Sequence, residues 1–358
     1  MAHQKGTLIV LTIFLAVFAL VHAYIIGRLF VWLGMPLGVE YVWIVAAGVL
    51  LFPVASALEQ RFLNWGTRVL YTLATVWMGT LTILLLTVVT GELLVFFMDS
   101  ELVALTVLVV TAGAAVYALV AGRRFIVREH TITGPVKKPL RIAMASDVHA
   151  GAVHGKRYVQ LIVDEITRQG ADLIVFPGDL VDGPGRLPDD LLEPIDSLGI
   201  PAIHSYGNHE FYVGEKEVER VIQRTNITSL RNAHKDIKGI RVIGIDDSED
   251  RNQLKKQLVG HTKKGMFNLL LYHRPDGLEE AAKHGVHLML SGHTHNGQIY
   301  PFTLLVRMRF ARKKGWYAVD TTKLFVSTGA GTWGPPMRLG SRSELVFITV
   351  VPEKKEKK

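Results

Sequence analysis

The sequence predicts an α/β protein, two packed sheets with helices outside them, preceded by four transmembrane helices. Two observations predict this. The chain is overwhelmingly apolar up to about residue 122, whereas the remainder has ordinary soluble character. In that remainder strands first alternate with amphipathic helices, and β-rich segments follow late in the chain. We therefore divide the 358 residues into a transmembrane anchor (1–122), a linker (123–139), an α/β domain (140–352) and a charged tail (353–358).

Four windows of the anchor lack Asp, Glu, Lys and Arg over the length of a membrane span, at about residues 7–26, 41–58, 69–90 and 102–121. We interpret the first window as a retained helix because it shows no signal-peptide cleavage pattern. Basic residues follow spans two and four, while the loop between spans three and four is only acidic. This distribution predicts a protein of the cell membrane with its α/β domain on the cytoplasmic side. Arg28 is the one basic residue that this orientation places on the opposite side. Only His22 is ionisable within a span, which favours an anchor over a transport pathway.

The charge and cysteine content exclude some classes of site. The chain has no cysteine, so disulfides and thiolate metal ligands are excluded. The net charge of +8 belongs almost entirely to the soluble part. A basic balance is compatible with nucleic-acid binding. The anchor, and the absence of a long Lys/Arg tract ahead of the candidate site, argue against a nucleic-acid partner.

The α/β domain is organised around residues 173–182, LIVFPGDLVD. Apolar residues run into Pro-Gly, as in a buried strand that ends abruptly. Acids follow at the carboxyl end of the strand, where open α/β sheets bind their ligands. Four more strand-like runs end in SDVH, GNHE, a lone histidine and GHTH. We expect the five strand ends to deliver eight side chains to one place: Asp147, His149, Asp179, Asn208, His209, His273, His293 and His295.

These residue types predict a metal site. Imidazole and carboxylate suit divalent transition ions such as Mn, Fe or Zn. Hydrolysis of a phosphate ester benefits from two such ions about 3.5–4 Å apart, which clamp the attacking and leaving oxygens. Because two close cations repel each other, a carboxylate shared between them is useful. Each motif alone is weak, but their ordered recurrence after strands is specific. Four other histidines of the domain are assigned to core or surface roles: His154, His204, His284 and His287.

At these residues the chain resembles the calcineurin-like metallophosphoesterase superfamily, over about residues 140–351. The resemblance implies a four-layered α/β sandwich and two divalent metal ions. It implies that one ion binds the set Asp147, His149, Asp179 and His295, and that the other binds the set Asp179, Asn208, His273 and His293. Asp179 would be the bridging carboxylate. Asn296 stands where relatives often carry glycine, which affects only the geometry of that loop.

The resemblance also implies catalytic residues. His209 is free to protonate the leaving oxygen, and Asp182 would hold it in orientation. The alternative for Asp182 is a turn acid bonded to its own backbone. Residues 329–338 resemble a late loop at the rim of the site, where Arg338 would bind substrate phosphate; the alternative is a surface residue.

Together these features predict an integral-membrane phosphoesterase that hydrolyses a phosphodiester or pyrophosphate bond by metal-hydroxide attack. The anchor and the GHTHNGQ stretch are similar to a membrane-associated subgroup that includes UDP-2,3-diacylglucosamine pyrophosphatases and related phosphodiesterases. A lipid-linked substrate and membrane lipids are therefore the expected partners. Two alternatives stay open: a nucleotide or nucleic-acid phosphodiesterase, and a non-catalytic regulatory module, which would show a broken ligand set.

Residues 300–317 combine apolar and aromatic residues with a basic cluster just after the GHTH motif. Such a segment can lie in the interface of an anionic bilayer. We hypothesise that it forms a lid that receives a lipid-linked phosphate; a hairpin with a solvated basic face is the alternative. The basic residues are Arg307, Arg309, Arg312, Lys313 and Lys314.

Overall fold

The computed structural model describes residues 2–250 and 252–353, so the predicted charged tail lies outside the described residues except for Glu353. The chain divides into one unit that ends at Leu119 and a second that begins at Val120. The first unit is helical, with elements Ala2–Trp32 (α1), Val39–Phe62 (α2), Trp65–Leu94 (α3) and Ser100–Arg123 (α4), the last of which ends in the second unit.

All four helices are long and apolar enough to cross a membrane. In α2 only 6% of the span is buried within the structure, so its apolar side chains face outward. A surface of that kind is suited to lipid, because soluble proteins rarely expose large contiguous apolar patches. The helices extend beyond the charge-free windows because the charged residues at their ends continue the same helical hydrogen bonding.

Two titratable side chains inside the helical unit, His22 and Arg28, have polar partners. His22 is fully buried; its Nδ1 donates to the Phe18 carbonyl (2.8 Å), and its Nε2 accepts from Trp77 Nε1 (3.1 Å). Arg28 binds Glu92 through two hydrogen bonds of 2.5 and 2.7 Å. These groups are therefore satisfied within the unit, as expected of an anchor.

The second unit contains two six-stranded sheets and a two-stranded ribbon. The strands are Phe125–Gly134 (β1), Leu140–Met144 (β2), Ala150–Gly151 (β3), Leu173–Pro177 (β4), Val181–Asp182 (β5), Ala202–Ser205 (β6), Ile227–Ser229 (β7), Ala233–Ile237 (β8), Ile240–Ile245 (β9), Phe267–Tyr272 (β10), Leu288–Ser291 (β11), Gly315–Val319 (β12), Thr322–Val326 (β13) and Ser343–Pro352 (β14). The first sheet has the order β1-β14-β2-β4-β6-β7, the second has the order β12-β13-β11-β10-β9-β8, and β3 pairs with β5.

Helices cover the outer face of each sheet: Lys156–Gln169 (α5) and Glu215–Ile222 (α7) pack on the first, and Gln253–Gln257 (α8) and Leu278–Lys283 (α9) pack on the second. The other helices of this unit are Asn208–Val213 (α6) and Phe302–Arg309 (α10), with short 3₁₀ helices at Glu193–Leu198 and His295–Gly297. β4 shows why the strands are apolar throughout. Leu173 and Val175 pack into the core between the sheets, whereas Ile174 and Phe176 pack against the helices. The predicted α/β fold, with two packed sheets and helices outside, is confirmed.

Two segments differ from the sequence-based interpretation. Ten residues of the predicted linker form β1, which pairs in parallel with β14 from Phe125 opposite Ser343 to Gly134 opposite Pro352. Because its partner lies more than 200 residues later in the chain, local sequence could not reveal this pairing. The hairpin alternative for residues 300–317 is wrong, since α10 occupies their first half and only β12 is a strand.

Candidate metal centre

The candidate ligands lie just beyond the carboxyl ends of five strands. Strands β2, β4 and β6 are neighbours with parallel β2–β4 and β4–β6 pairs, and β10 and β11 are parallel neighbours in the second sheet. Parallel neighbours present their carboxyl ends at the same edge, so the loops that follow them meet there. The structure brings all seven predicted ligands together in this way.

The first group of ligand atoms comes from Asp147, His149 and His295. His149 Nε2 lies 3.0 Å from His295 Nε2, and Asp147 Oδ1 lies 3.4 Å from His295 Nε2. All three side chains are buried, and their ligand atoms lie within 4.8 Å of one another. Two imidazole nitrogens and a carboxylate oxygen that face each other at these distances can share one cation.

The second group contains Asp147, Asp179 and His273. His273 Nδ1 donates to the Pro177 carbonyl (3.0 Å), which directs Nε2 into the site. That Nε2 is buried and lies 3.0 Å from Asp179 Oδ2. The same Oδ2 lies 3.8 Å from His149 Nε2 in the first group. The Asp179 carboxylate therefore lies between the two groups, as a bridging ligand must.

Asn208 and His293 complete the set. Asn208 Oδ1 lies 2.9 Å from His293 Nδ1, and the His293 backbone N–H donates to Asp147 Oδ1 (2.8 Å). Asn208 begins α6, whose next residue, His209, donates its backbone N–H to Asp179 Oδ1 (2.9 Å). The backbone N–H groups of His293 and His209 thus hold the carboxylates of Asp147 and Asp179 in place.

The backbone at the site is strained. A positive φ is uncommon outside glycine, costs about 1–3 kcal/mol per residue, and concentrates at functional sites. Five of the seven candidate ligands have one: Asp147 (53°), His149 (49°), Asp179 (53°), His293 (70°) and His295 (45°). The surrounding fold therefore holds these side chains in orientations that isolated loops would avoid.

Two glycines are required because the chain passes very close to the carboxylates. A Cβ on Gly207 would lie 2.2 Å from Asp179 Oδ1, and a Cβ on Gly292 would lie 2.0 Å from Asp147 Oδ2. Neither distance is sterically allowed. This explains physically why glycine precedes the ligand in both the GNHE and the GHTH motifs.

The electrostatics suit a divalent cation. Burial by itself would raise the pKa of Asp179, but the charge and hydrogen bond of His273 hold it well below its usual range. Burial would lower the pKa of His273, but the charge and hydrogen bond of Asp179 raise it to about 10. Burial, together with the charge of His273, lowers the pKa of His293 to about 3. The site therefore combines an ionised Asp179 carboxylate with a neutral His293 imidazole, and a cation would take the place of the proton on His273. This oxygen and nitrogen donor set fits Mn, Fe or Zn.

His209 lies beside the ligands and binds Asp182. Its Nδ1 is 2.9 Å from Asp182 Oδ1, which also accepts from the Gly183 N–H, so Asp182 makes both the histidine contact and the turn contact considered for it. Burial by itself would lower the pKa of His209, but the Asp182 hydrogen bond and the nearby carboxylates raise it to about 9. The ring is flanked by two exposed aromatic rings, Tyr212 at 5.1 Å and Trp333 at 5.9 Å between centroids.

The structure corrects the position predicted for Arg338. Its side chain is fully buried and donates to the carbonyls of His295 (3.0 Å), Thr328 (2.7 Å) and Gly331 (2.6 Å). It is neither a surface residue nor a rim residue open to substrate phosphate. Its guanidinium instead supports the two loops that border the first ligand group. The burial was not visible in sequence because the carbonyls belong to separate loops.

Glu210, the last residue of the GNHE motif, has a structural role that was not predicted from the sequence. Its carboxylate is fully buried and accepts from the backbone N–H groups of Asp179 (3.0 Å), Leu180 (2.7 Å) and Gly207 (2.7 Å). It therefore positions the loop that carries the bridging ligand. This role could have been inferred from sequence, because Glu210 lies three residues after Gly207 at the start of a helix, where an acid caps backbone N–H groups. The buried His204 lies 3.3 Å from this carboxylate, in accordance with its predicted core role.

Comparisons with known proteins agree with this geometry. The family model for calcineurin-like phosphoesterases matches residues 140–297. An uncharacterized metallophosphoesterase of Aquifex aeolicus (strain VF5) is 34% identical over 230 residues, which cover 60% of this chain and 87% of the relative. An uncharacterized metallophosphoesterase of Helicobacter pylori (strain ATCC 700392 / 26695) is 33% identical over 60% of this chain. A protein of Danio rerio named transmembrane protein with metallophosphoesterase domain is 32% identical over 68% of this chain. The matched region spans 61% of the length of each of these last two relatives.

Proposed function

Because the chain belongs to the calcineurin-like metallophosphoesterase family, we propose that it is a membrane-bound, metal-dependent phosphoesterase that hydrolyses a phosphodiester or pyrophosphate bond. One observation supports this most strongly: Asp179 Oδ2 lies 3.0 Å from His273 Nε2 and 3.8 Å from His149 Nε2, between the two ligand groups. A regulatory module without activity would tolerate the loss of a ligand, and here all seven are present.

Two divalent ions, Mn, Fe or Zn, are the proposed cofactors. Bound by the two ligand groups, they would supply a nucleophile from water at neutral pH and offset charge on the phosphoryl oxygens. Asp179 would contact both ions. The strained backbone and the two close-packed glycines support this proposal, since they orient the ligands before any ion binds.

The proton for the leaving oxygen would come from His209. Its raised pKa keeps it protonated at neutral pH, and the Asp182 bond fixes the ring orientation. As the bond from phosphorus to the leaving oxygen breaks, the imidazolium would transfer its proton to that oxygen. Tyr212 and Trp333 flank the ring, so the leaving group would pass between two aromatic surfaces.

The four apolar helices and the name of the Danio rerio relative support a membrane location. We place the catalytic domain on the cytoplasmic side, following the distribution of basic residues. Arg28, the exception to that distribution, is paired with Glu92, which neutralises its charge. A substrate that is itself lipid-linked is the finer form of this proposal.

The test uses the full chain purified in detergent and supplied with Mn²⁺. Its substrates are an aryl phosphodiester, an aryl phosphomonoester, an oligonucleotide and UDP-2,3-diacylglucosamine. We expect chelator-sensitive hydrolysis of a diester or pyrophosphate, lost in Asp179→Asn and retained in the matched exposed variant Asp164→Asn. Hydrolysis of the oligonucleotide alone would favour the nucleic-acid alternative. A folded protein that binds Mn²⁺ and hydrolyses none of these substrates would refute the proposal.

A further inference from the structure

Helix α10 leaves one apolar face in solvent. None of its residues is buried, and Leu304, Leu305 and Met308 are 43%, 55% and 85% exposed. They occupy positions i, i+1 and i+4 of a helix and therefore project from one face. A continuous apolar face of this kind is unusual on a soluble surface and marks an interaction site.

The other side of α10 faces its own domain. Thr303 and Val306 lie at positions i and i+3 of the helix and are half-buried, as is Phe310, which follows it in extended backbone. The helix is thus seated by one face, and its exposed apolar face is directed away from the domain. Local unfolding of the segment is not needed to expose it.

Positive charges flank the apolar face. Arg307 and Arg309 are exposed and lie on either side of it around the helix, and Lys314 is exposed in the segment that follows. Arg312 differs, because it is ion-paired with Glu279. An apolar strip between basic side chains is the pattern of a helix that lies in the interface of an anionic bilayer, where long cationic side chains reach the headgroups.

The segment is coupled to the metal centre by three contacts. The Phe310 ring lies 5.5 Å from the His293 ring, edge to face, and Thr294 Oγ1 donates to the Lys313 carbonyl (2.6 Å). The backbone of Gly297 packs against that of Thr303 so closely that a Cβ on Gly297 would lie 2.4 Å from Thr303 Cα. Movement of α10 would therefore move the GHTH loop.

From these observations we infer that α10 docks on an anionic lipid surface. Leu304, Leu305 and Met308 would enter the boundary between headgroups and acyl chains, and Arg307 and Arg309 would bind lipid phosphates. The metal loop would then be held at the bilayer surface. If the proposed phosphoesterase activity holds, the substrate is a phosphate ester whose apolar part stays in the bilayer.

The absence of cysteine from the chain allows a sharp test. The full-length Met308→Cys variant is labelled at the cysteine with an environment-sensitive fluorophore. It is then reconstituted at one copy per nanodisc, in nanodiscs of phosphatidylcholine with or without phosphatidylglycerol. We expect a blue-shifted emission, and quenching by lipids with nitroxide-labelled acyl chains, only when phosphatidylglycerol is present. The matched control is Leu161→Cys, which is 51% exposed on α5, the helix that covers the first sheet. Its emission should remain that of a dye in water.

Charge variants test the recognition itself. Arg307→Gln and Arg309→Gln should each lower the ratio of docked to undocked protein about fivefold, since each basic residue near an anionic surface contributes on that scale. A Met308 label that stays in water in phosphatidylglycerol discs would overturn the inference. So would burial of the label only when two copies share a disc, which would indicate self-association. The fluorescence readout does not need hydrolysis, so failure of docking and failure of the proposed activity are distinguishable.

Discussion

Replacement of Glu210 by glutamine tests whether one buried carboxylate holds the bridging ligand in place. Oε2 accepts from the backbone N–H groups of Asp179 (3.0 Å) and Gly207 (2.7 Å), and Oε1 accepts from those of Leu180 (2.7 Å) and Val181 (3.3 Å). Burial by itself would raise the pKa of Glu210, but the hydrogen bond and charge of His204 keep it below the ordinary value. The group is therefore ionised at neutral pH, and its hydrogen bonds are charge-assisted.

The expected magnitude follows from the hydrogen bonds. In Glu210→Gln one oxygen becomes an NH₂ group, which faces two N–H donors and can accept from neither. Hydrogen bonds to a charged group contribute about 1.5–3 kcal/mol each, so the loss of two costs about 3–6 kcal/mol. For a unit of this size, 1 kcal/mol corresponds to about 2–4 °C in melting temperature, which predicts a decrease of at least about 6 °C.

The variant should also bind metal less tightly. Glu210 does not contact the ligand oxygens of Asp179 but positions its backbone, and loss of such a supporting group lowers metal affinity by about 10–100-fold. Thermal melting of the full chain in detergent and Mn²⁺ titration measure the two effects separately.

The matched control is Glu215→Gln, the same chemical change on a neighbouring helix. Glu215 forms an ion pair with Arg231 and is 52% exposed, so its loss should cost less than about 1 kcal/mol. If Glu210→Gln melts within about 2 °C of the unsubstituted protein and keeps its Mn²⁺ affinity, this account of the Asp179 loop is wrong.

Three further predictions concern other parts of the site. Asp182→Asn should lower kcat by about 10²–10⁴-fold and move the alkaline limb of the pH profile to lower pH. The reason is that Asp182, together with the other nearby carboxylates, raises the pKa of His209 to about 9, and the acid is active only below its pKa; an unchanged limb would exclude this role for Asp182. Gly207→Ala should abolish Mn²⁺ binding, because the new Cβ would lie 2.2 Å from Asp179 Oδ1, whereas Gly113→Ala, with nothing within 4 Å, should bind normally. Arg338→Met should lower the melting temperature, because its hydrogen bonds to four backbone carbonyls are lost. A raised KM without loss of stability would instead restore Arg338 as a substrate ligand.

Much of the site could be predicted from sequence because each part of it is local. A buried strand and the polar residues that follow its end are neighbours in the chain, so the residues Asp147, Asp179, Asn208 and His293 were visible as motifs. The four apolar helices were visible for the same reason, since hydropathy is a property of consecutive residues.

Only the tertiary structure decided the features that depend on distant contacts. β1 looked like a linker because its partner, β14, lies more than 200 residues away. Arg338 looked exposed because the carbonyls that surround it come from separate loops. Glu210 acquired its role from backbone donors about 30 residues earlier in the chain. The residue types that carry the chemistry can thus be identified from local sequence. Burial, hydrogen-bond partners and the exposed face of α10 depend instead on how separate segments of the chain pack.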